Sequence, residues 1–189
     1  LDNRHSGQDA VYQEYRLTLS PQLSTRLNTF ARQHRLTLNT MIQGALALLL
    51  SKYSGESDVV FGVTVAGRPA ELAHSEEMVG LFINTLPLRV KLAGEMPTLT
   101  WLAEIQDSML QQNEFAHTPL VDIQRWSDLP AGTNLFESIF VFENYPLDQA
   151  TLTQISDIEL RSFQAMERTN YPLTIAALPR AEFALNLTY

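Results

Sequence analysis

The amino-acid sequence predicts a single α/β domain over residues 1–189, built from a mixed β-sheet with helices mainly on one face. Two patterns lead to this prediction: helical periodicity lies between the early strands, and strand patterns cluster toward the C-terminus. The composition, with 45% hydrophobic and 18% charged residues, is that of a globular chain with one core. No repeat, low-complexity segment or linker divides the chain.

The first third of the chain is expected to form one strand and two helices. Apolar and polar residues alternate over residues 11–19, which is typical of a half-buried strand. Ser20 supplies a hydroxyl that can cap a helix, and the proline after it has a backbone angle suited to the first helical turn. An amphipathic helix is therefore expected over residues 21–35. A second helix over residues 39–53 is apolar on most sides, should be largely buried, and ends at Gly55.

The rest of the chain alternates strands with one more helix. Residues 59–65 are a continuous apolar run, typical of a strand covered on both faces. Residues 86–92 alternate, and Pro87 places this strand at a sheet edge or marks its start. A third helix is expected over residues 98–115, and the remaining strands over residues 138–142, 158–163, 171–178 and 183–189.

Composition and motifs argue against several classes of function. The formal net charge of -8 disfavours nucleic acids and anionic membranes as partners, and no apolar stretch reaches the ~20 residues of a membrane span. The absence of cysteine excludes thiolate nucleophiles and Cys-ligated metals and fits a cytoplasmic protein. The four histidines are scattered, so we predict no metal site, and the common hydrolase, P-loop and dinucleotide motifs are missing.

The most informative segment is residues 78–90, MVGLFINTLPLRV, which follows the strand and loop DVVFGVTVAGRPAE. Asn84 and Thr85 interrupt an otherwise apolar strand there. A buried polar group costs about 1–3 kcal/mol unless it is paired. We therefore expect this Asn-Thr pair to bond to its own backbone or to a bound molecule.

Five segments of the chain carry a family resemblance: DVVFGVTVAGRP, MVGLFINTLPLRV, HTPLVDIQRW, LFESIFVFENYP and ERTNYPLTI. In this order they resemble the C-terminal half of the condensation domains of nonribosomal peptide synthetases. The resemblance covers nearly the whole chain. It implies one lobe of the chloramphenicol-acetyltransferase-like fold.

One family motif is missing from the sequence. Condensation domains similar to this chain carry His-His-x-x-x-Asp-Gly on their N-terminal lobe, and its second histidine serves as base or positioning group. No His-His pair occurs here. The resemblance therefore implies that residues 1–189 are the C-terminal lobe alone, a fragment of a larger synthetase without the N-terminal lobe and inactive by itself.

The reaction implied by the resemblance is amide formation between two tethered substrates. An upstream peptidyl carrier protein presents an acyl or peptidyl thioester on a 4′-phosphopantetheine arm, and a downstream carrier presents the aminoacyl acceptor. The implied partners are these two carriers and the N-terminal lobe. The chain itself is expected to bind no cofactor and to supply no catalytic residue.

Four residues are expected to line the substrate channel, and Arg68 is interpreted separately. Gly80, Asn84 and Thr85 match the family's channel-wall motif, in which the Asn84 carboxamide would hold a thioester carbonyl or a pantetheine amide. A cap on its own strand is the equally weighted alternative for Asn84. Ser138 is a channel candidate for which a hydroxyl bonded to sheet backbone is preferred. We interpret Arg68 as half of a structural ion pair rather than a ligand contact, since its rigid fork suits bidentate pairing.

Two alternatives to condensation stay open at this point. An epimerization or cyclization domain shares the lobe architecture. The other alternative is a non-catalytic lobe that docks carrier proteins or associates with itself. Self-association has a physical basis because the face that packs against the N-terminal lobe would be apolar and would favour dimers.

Overall fold

The computed structural model describes residues 12–68, 74–75, 77–92, 94–130, 132–143, 169–180 and 182–189. The predicted strand over residues 158–163 lies outside these ranges. None of the helices within them is long and apolar enough to cross a membrane. The elements in chain order are β1 (Glu14–Thr18), α1 (Pro21–Gln33), α2 (Leu38–Ser54), β2 (Asp58–Val65), β3 (Asn84–Lys91), α3 (Thr98–Asn113), α4 (Leu120–Trp126), β4 (Ser138–Phe142), β5 (Leu173–Leu178) and β6 (Ala184–Thr188).

The six described strands form one sheet in the order β1-β6-β5-β4-β2-β3. β4 runs parallel to both β2 and β5, whereas the pairs β1–β6, β5–β6 and β2–β3 are antiparallel. The predicted mixed sheet is therefore confirmed. β3 is an edge strand, which explains how it tolerates Pro87, because proline has no N–H to donate to a second neighbour.

The core lies between one face of the sheet and the helices α2 and α3. Phe61, Leu88 and Phe140 are almost completely buried on three neighbouring strands, and α2 contributes Leu46 and Ala47 to the same cluster. α2 contacts both β2 and α3, and α3 contacts β3. This packing follows from the alternation of each strand, which sends every second side chain to the helical side. It agrees with the prediction of helices mainly on one face.

Two predictions of burial are wrong. All five residues of β1 are exposed, because β1 packs mainly against β6 alone, whereas β3 at the other edge of the sheet is covered by α3 and α4. α2 was expected to be largely buried, yet Leu48, Leu49 and Tyr53 are exposed on it. A helix laid on a sheet has one side that packs and one that faces away, and the apolar sequence of α2 continues onto the outer side.

Buried polar side chains fix the helices to the sheet and were not predicted. Ser24 in α1 is 2% exposed, and its hydroxyl donates to the Ser20 carbonyl at 3.0 Å while accepting from the Phe183 N–H at 3.1 Å. The first turns of α1 are thereby tied to the start of β6. These bonds satisfy groups that would otherwise be buried without partners.

The junction between α1 and α2 is held by a single carboxamide from α3. The Gln106 Oε1 accepts from the Thr37 N–H at 2.8 Å and from the Thr40 hydroxyl at 3.1 Å, and the Gln106 Nε2 donates to the Arg35 carbonyl at 3.0 Å. Thr37 caps α2, accepting from the Thr40 N–H. The three helices are therefore joined by one polar network next to the core.

Candidate functional site

The candidate site lies at one end of the β2–β3 pair, where Val65 faces Asn84; we call this the loop end. The opposite end, where Asp58 faces Lys91, is called the ion-pair end. At the loop end the chain leaves β2 through Gly67, whose φ is +63°. A Cβ at position 67 would overlap the carbonyl oxygen of Phe82. Only glycine allows both this left-handed backbone and this close approach.

Arg68 spans the loop that connects β2 to β3. Its guanidinium donates to the carbonyl of Ser75 and, at 3.3 Å from both terminal nitrogens, to the carbonyl of Met78. The carbon at the centre of the guanidinium lies 4.3 Å from the ring centroid of Phe82. The contacts found in the described ranges support the structural interpretation, but they are with backbone carbonyls and a ring and not with the predicted carboxylate.

Asn84 joins the loop end to the turn between α3 and α4. Its Nδ2 donates to the carbonyls of Ala116 at 2.9 Å and Thr118 at 2.7 Å, and its Oδ1 accepts from the Thr85 N–H at 2.9 Å. Both amide hydrogens are therefore engaged, so the side chain has no donor left for a thioester carbonyl. Its Oδ1 retains one lone pair for an amide N–H. The role of Asn84 in a channel stays a prediction.

The other predicted channel residues occupy different levels of the sheet. Gly80 is exposed in the loop, and a Cβ there would meet only the Phe82 ring at 3.7 Å. Thr85 is half-buried opposite Thr64, next to Asn84. Ser138 is buried at the start of β4. Since Ile139 pairs with Gly62, Ser138 lies about 13 Å from the level of Val65, at about 3.3 Å per strand residue.

The loop end also exposes large apolar side chains. Val79 has an exposed fraction of 104% and Leu81 of 88%, and Met78 and Ile83 on either side are exposed as well. We call residues 79–81 the apolar tip. Exposed apolar groups that lie together mark surfaces that bind other molecules.

Charged groups that could act as acid, base or metal ligand are sparse in this structure. In the described ranges, no three His, Asp or Glu side chains lie together as a metal site requires. His74 and Glu77 are 3.6 Å apart and strongly exposed, and the His34 ring lies tilted against the Phe30 ring at the end of α1. At the ion-pair end, hydrogen bonds from Arg89 lower the pKa of the Asp58 carboxyl. Burial raises the pKa of Tyr171, which stacks on Phe136.

Sequence reasoning missed two features of this site. No sequence pattern indicates that position 67 lies against the Phe82 carbonyl, an approach that requires glycine. Phe82 lies in an apolar part of the sequence, which gives no sign that its ring contacts Arg68. The Gly-Arg-Pro string marks a turn, yet no spacing rule pairs its arginine with an aromatic ring fourteen positions later.

Comparison with known proteins decides the family. A family model described as "Condensation domain" matches residues 1–189. The chain belongs to the condensation-domain family. This condensation-domain chain is 47% identical over 184 residues to one of the linear gramicidin synthase proteins of Brevibacillus parabrevis, a match that covers 97% of this chain and 4% of that protein. It is 48% identical over 179 residues to the chondramide synthase cmdD of Chondromyces crocatus, a match that covers 95% of this chain and 5% of that protein.

Solved structures show the same fold. A four-domain nonribosomal peptide synthetase bound to AMP and glycine matches with a TM-score of 0.78 and 17% identity, over 94% of this chain and 15% of that one. The first condensation domain of the calcium-dependent antibiotic synthetase matches with a TM-score of 0.69 and 18% identity, over 93% of this chain and 38% of that one. The resemblance to condensation domains of the chloramphenicol-acetyltransferase-like fold is confirmed. The chain spans 4–5% of these two relatives and 38% of that solved domain.

Proposed function

We propose that residues 1–189 are the C-terminal lobe of a condensation domain that forms amide bonds between tethered substrates in a nonribosomal peptide synthetase. One observation carries this proposal: the condensation-domain model matches the whole chain, while the chain covers only 38% of a solved condensation domain. The order of the five sequence motifs supports the C-terminal lobe, and the N-terminal lobe would supply the histidine that is absent here.

The reaction makes modest chemical demands on this lobe. The amine nitrogen of the acceptor attacks the thioester carbonyl of the donor, a C–N bond forms, the C–S bond breaks, and the thiol leaves. A base must take one proton from the acceptor ammonium before attack, and a proton must reach the departing thiolate. Most of the acceleration comes from orienting two tethered groups, which requires firm channel walls. The loop end would be one such wall.

The partners follow from the same proposal. The N-terminal lobe would pack against this chain, and upstream and downstream peptidyl carrier proteins would deliver their arms from opposite sides, all in the cytoplasm. The 4′-phosphopantetheine arm contains amide groups, and the Asn84 Oδ1 has one lone pair free to accept from an amide N–H. Channel roles for Gly80, Thr85 and Ser138 belong to this proposal as well.

Self-association is favoured by the exposed apolar surface. The apolar tip and the outer side of α2, with Leu48, Leu49 and Tyr53, present large apolar groups to solvent. If the N-terminal lobe covers the tip, the isolated chain should associate with itself and lose this tendency when that lobe is added. The mass of both samples by light scattering would measure this.

The decisive experiment compares the chain alone with the complete domain. Donor and acceptor carriers are loaded, and products are followed by mass spectrometry. We expect amide product with the complete domain and only the uncatalysed background with the chain alone, since it lacks the histidine. Turnover by the chain alone would contradict the single-lobe assignment. A donor returned with inverted stereochemistry, or a heterocyclic product, would instead identify an epimerization or cyclization domain.

A further inference from the structure

The apolar tip combines full exposure with flanking residues that make specific contacts. Val79 and Leu81 make almost no contact within the chain, at exposed fractions of 104% and 88%. Side chains this exposed contribute nothing to the stability of the chain by burial. The residues directly before and after the tip are nevertheless held by specific polar and aromatic contacts.

Arg68 and Gly67 hold the tip from both sides. Before the tip, the Arg68 guanidinium bonds to the carbonyl of Met78 through both terminal nitrogens and also to the carbonyl of Ser75. After the tip, the same guanidinium lies over the Phe82 ring, and the Phe82 carbonyl is packed on Gly67. One planar cation thus bridges the two flanks of the tip, a geometry that an arginine provides and a flexible ammonium does not.

We propose that Arg68 and Phe82 are positioning residues for condensation, which together fix the apolar tip as a rigid edge of the substrate channel. This inference rests on the proposed function, because a channel requires the second lobe. Orientation dominates the rate of such a reaction, and a displacement of about 1 Å remote from the reacting atoms can lower the rate about 100-fold.

The position of Arg68 separates positioning from general structural support. Arg68 is exposed, and the described groups it contacts are two loop carbonyls and one ring, none of which belongs to the hydrophobic core cluster. Removing it strands no buried charge among these groups, so the fold should survive. The loss should appear in the geometry of the tip and therefore in turnover.

The test compares Arg68→Gln, Arg68→Lys and Phe82→Leu in the complete domain with loaded carriers. We expect Phe82→Leu to lower kcat about 2- to 30-fold, the range set by one cation–π contact. Arg68→Gln should lower kcat at least as much, because it also removes the guanidinium bonds to the two loop carbonyls. KM for the acceptor carrier and the melting temperature should change little. The double variant should be no slower than Arg68→Gln alone, because the Phe82 ring acts on the tip through Arg68 and that contact is already lost in Arg68→Gln. Arg68→Lys should recover part of the rate, since an ammonium keeps the cation but loses the fork.

Amide hydrogen exchange over residues 77–82 gives a second readout on the same proteins. Exchange should be faster in Arg68→Gln and Phe82→Leu, because the tip is released. Arg89→Gln is the matched control: it removes an arginine from β3 at the ion-pair end, remote from the tip, and should leave kcat and this exchange unchanged. The inference is overturned by full kcat in folded Arg68→Gln, by multiplied effects in the double variant, or by a lost rate with unchanged exchange.

The same measurements separate this inference from the function on which it rests. An unaltered complete domain that forms no amide would count against the proposed function. In that case faster exchange over residues 77–82 in Arg68→Gln would still support the hold of Arg68 on the tip, and unchanged exchange would end the inference.

Discussion

The two ends of the β2–β3 pair use polar side chains in opposite ways. At the ion-pair end, Arg89 and Asp58 form a bidentate pair across the strands, with a shortest N–O distance of 2.7 Å, and both remain partly or largely exposed. At the loop end, Arg68 and Asn84 direct their donors at backbone carbonyls of the loop and of the turn between α3 and α4.

This contrast shows which polar groups determine the path of the backbone. An exposed ion pair is solvated in either state and contributes little to stability. A donor aimed at a carbonyl fixes the path of the chain, because the carbonyl would otherwise need another partner. The end with the shaped backbone is also the end that exposes the apolar tip. At the ion-pair end the regular hydrogen bonds between β2 and β3 determine the backbone. At the loop end, additional side-chain bonds to carbonyls maintain a specific loop geometry.

The largest change in stability is expected at Gly67, and Gly80 in the same loop should show almost none. Gly67→Ala should lower the free energy of unfolding of the complete domain by about 2–5 kcal/mol. Left-handed backbone costs alanine about 1–2 kcal/mol, and displacing the Phe82 carbonyl adds a cost like that of overpacking, about 1–3 kcal/mol. Gly80→Ala is the control, because its Cβ would make only an ordinary contact at 3.7 Å. Equal urea unfolding curves for both variants would contradict the tight approach at Gly67.

Asn84 provides the next test of the loop end. Asn84→Ala should cost about 1–3 kcal/mol of stability, since the carbonyls of Ala116 and Thr118 lose their donor. Asn84→Asp should cost at least as much, because a carboxylate has the same shape but places charge against two carbonyls. Paired melting and turnover measurements check this. A stable Asn84→Ala variant with lowered turnover would instead favour the channel role.

Much of this architecture could be predicted, because the periodic spacing of apolar residues indicates strands and helices locally. Helix α2 ends at Gly55 in the left-handed conformation, as the pattern indicated, and β4 has the predicted bounds. Burial was harder: whether β1 is covered depends on neighbours that its own alternation does not encode.

The site was less accessible to sequence reasoning, since its contacts join distant positions. Asn84 bonds to carbonyls 32 and 34 residues later, so capping and channel roles could not be separated from the string FINT alone. The partner of Arg68 was predicted from the chemistry of its fork, which suits carbonyls in a loop as well as carboxylates. The fork itself does not indicate which acceptor lies nearby, and the ion pair expected for Arg68 stays a prediction.

A smaller effect is expected between the two ends, at Gln112. Its Nε2 donates to the carbonyl of Pro87 at 3.0 Å. Gln112 therefore resembles Asn84 in using a carboxamide, but it bonds to one backbone carbonyl instead of two. Gln112→Met keeps the size of the side chain and should cost about 0.5–1.5 kcal/mol. Turnover should stay unchanged. A stability loss larger than that of Asn84→Ala, measured in the same urea series, would show that the loop end is no more dependent on its polar contacts than the middle of β3.

The smallest effect belongs to the ion-pair end, through Asp58→Asn. Hydrogen bonds from Arg89 are the main cause that lowers the pKa of the Asp58 carboxyl, desolvation opposes them, and the charges of Arg89 and Lys91 reinforce them. A carboxyl whose folded pKa is lowered stabilises the fold above its unfolded pKa, about 3.9. This contribution disappears as the pH falls through the lowered folded value. The melting temperature of Asp58→Asn should therefore lie slightly below that of the parent at pH 7, converge with it in acid, and lose the difference in high salt as well. A difference that survives both acid and salt would mean that Asp58 contributes through packing or backbone contacts, and the two ends would then be more alike than their geometry indicates.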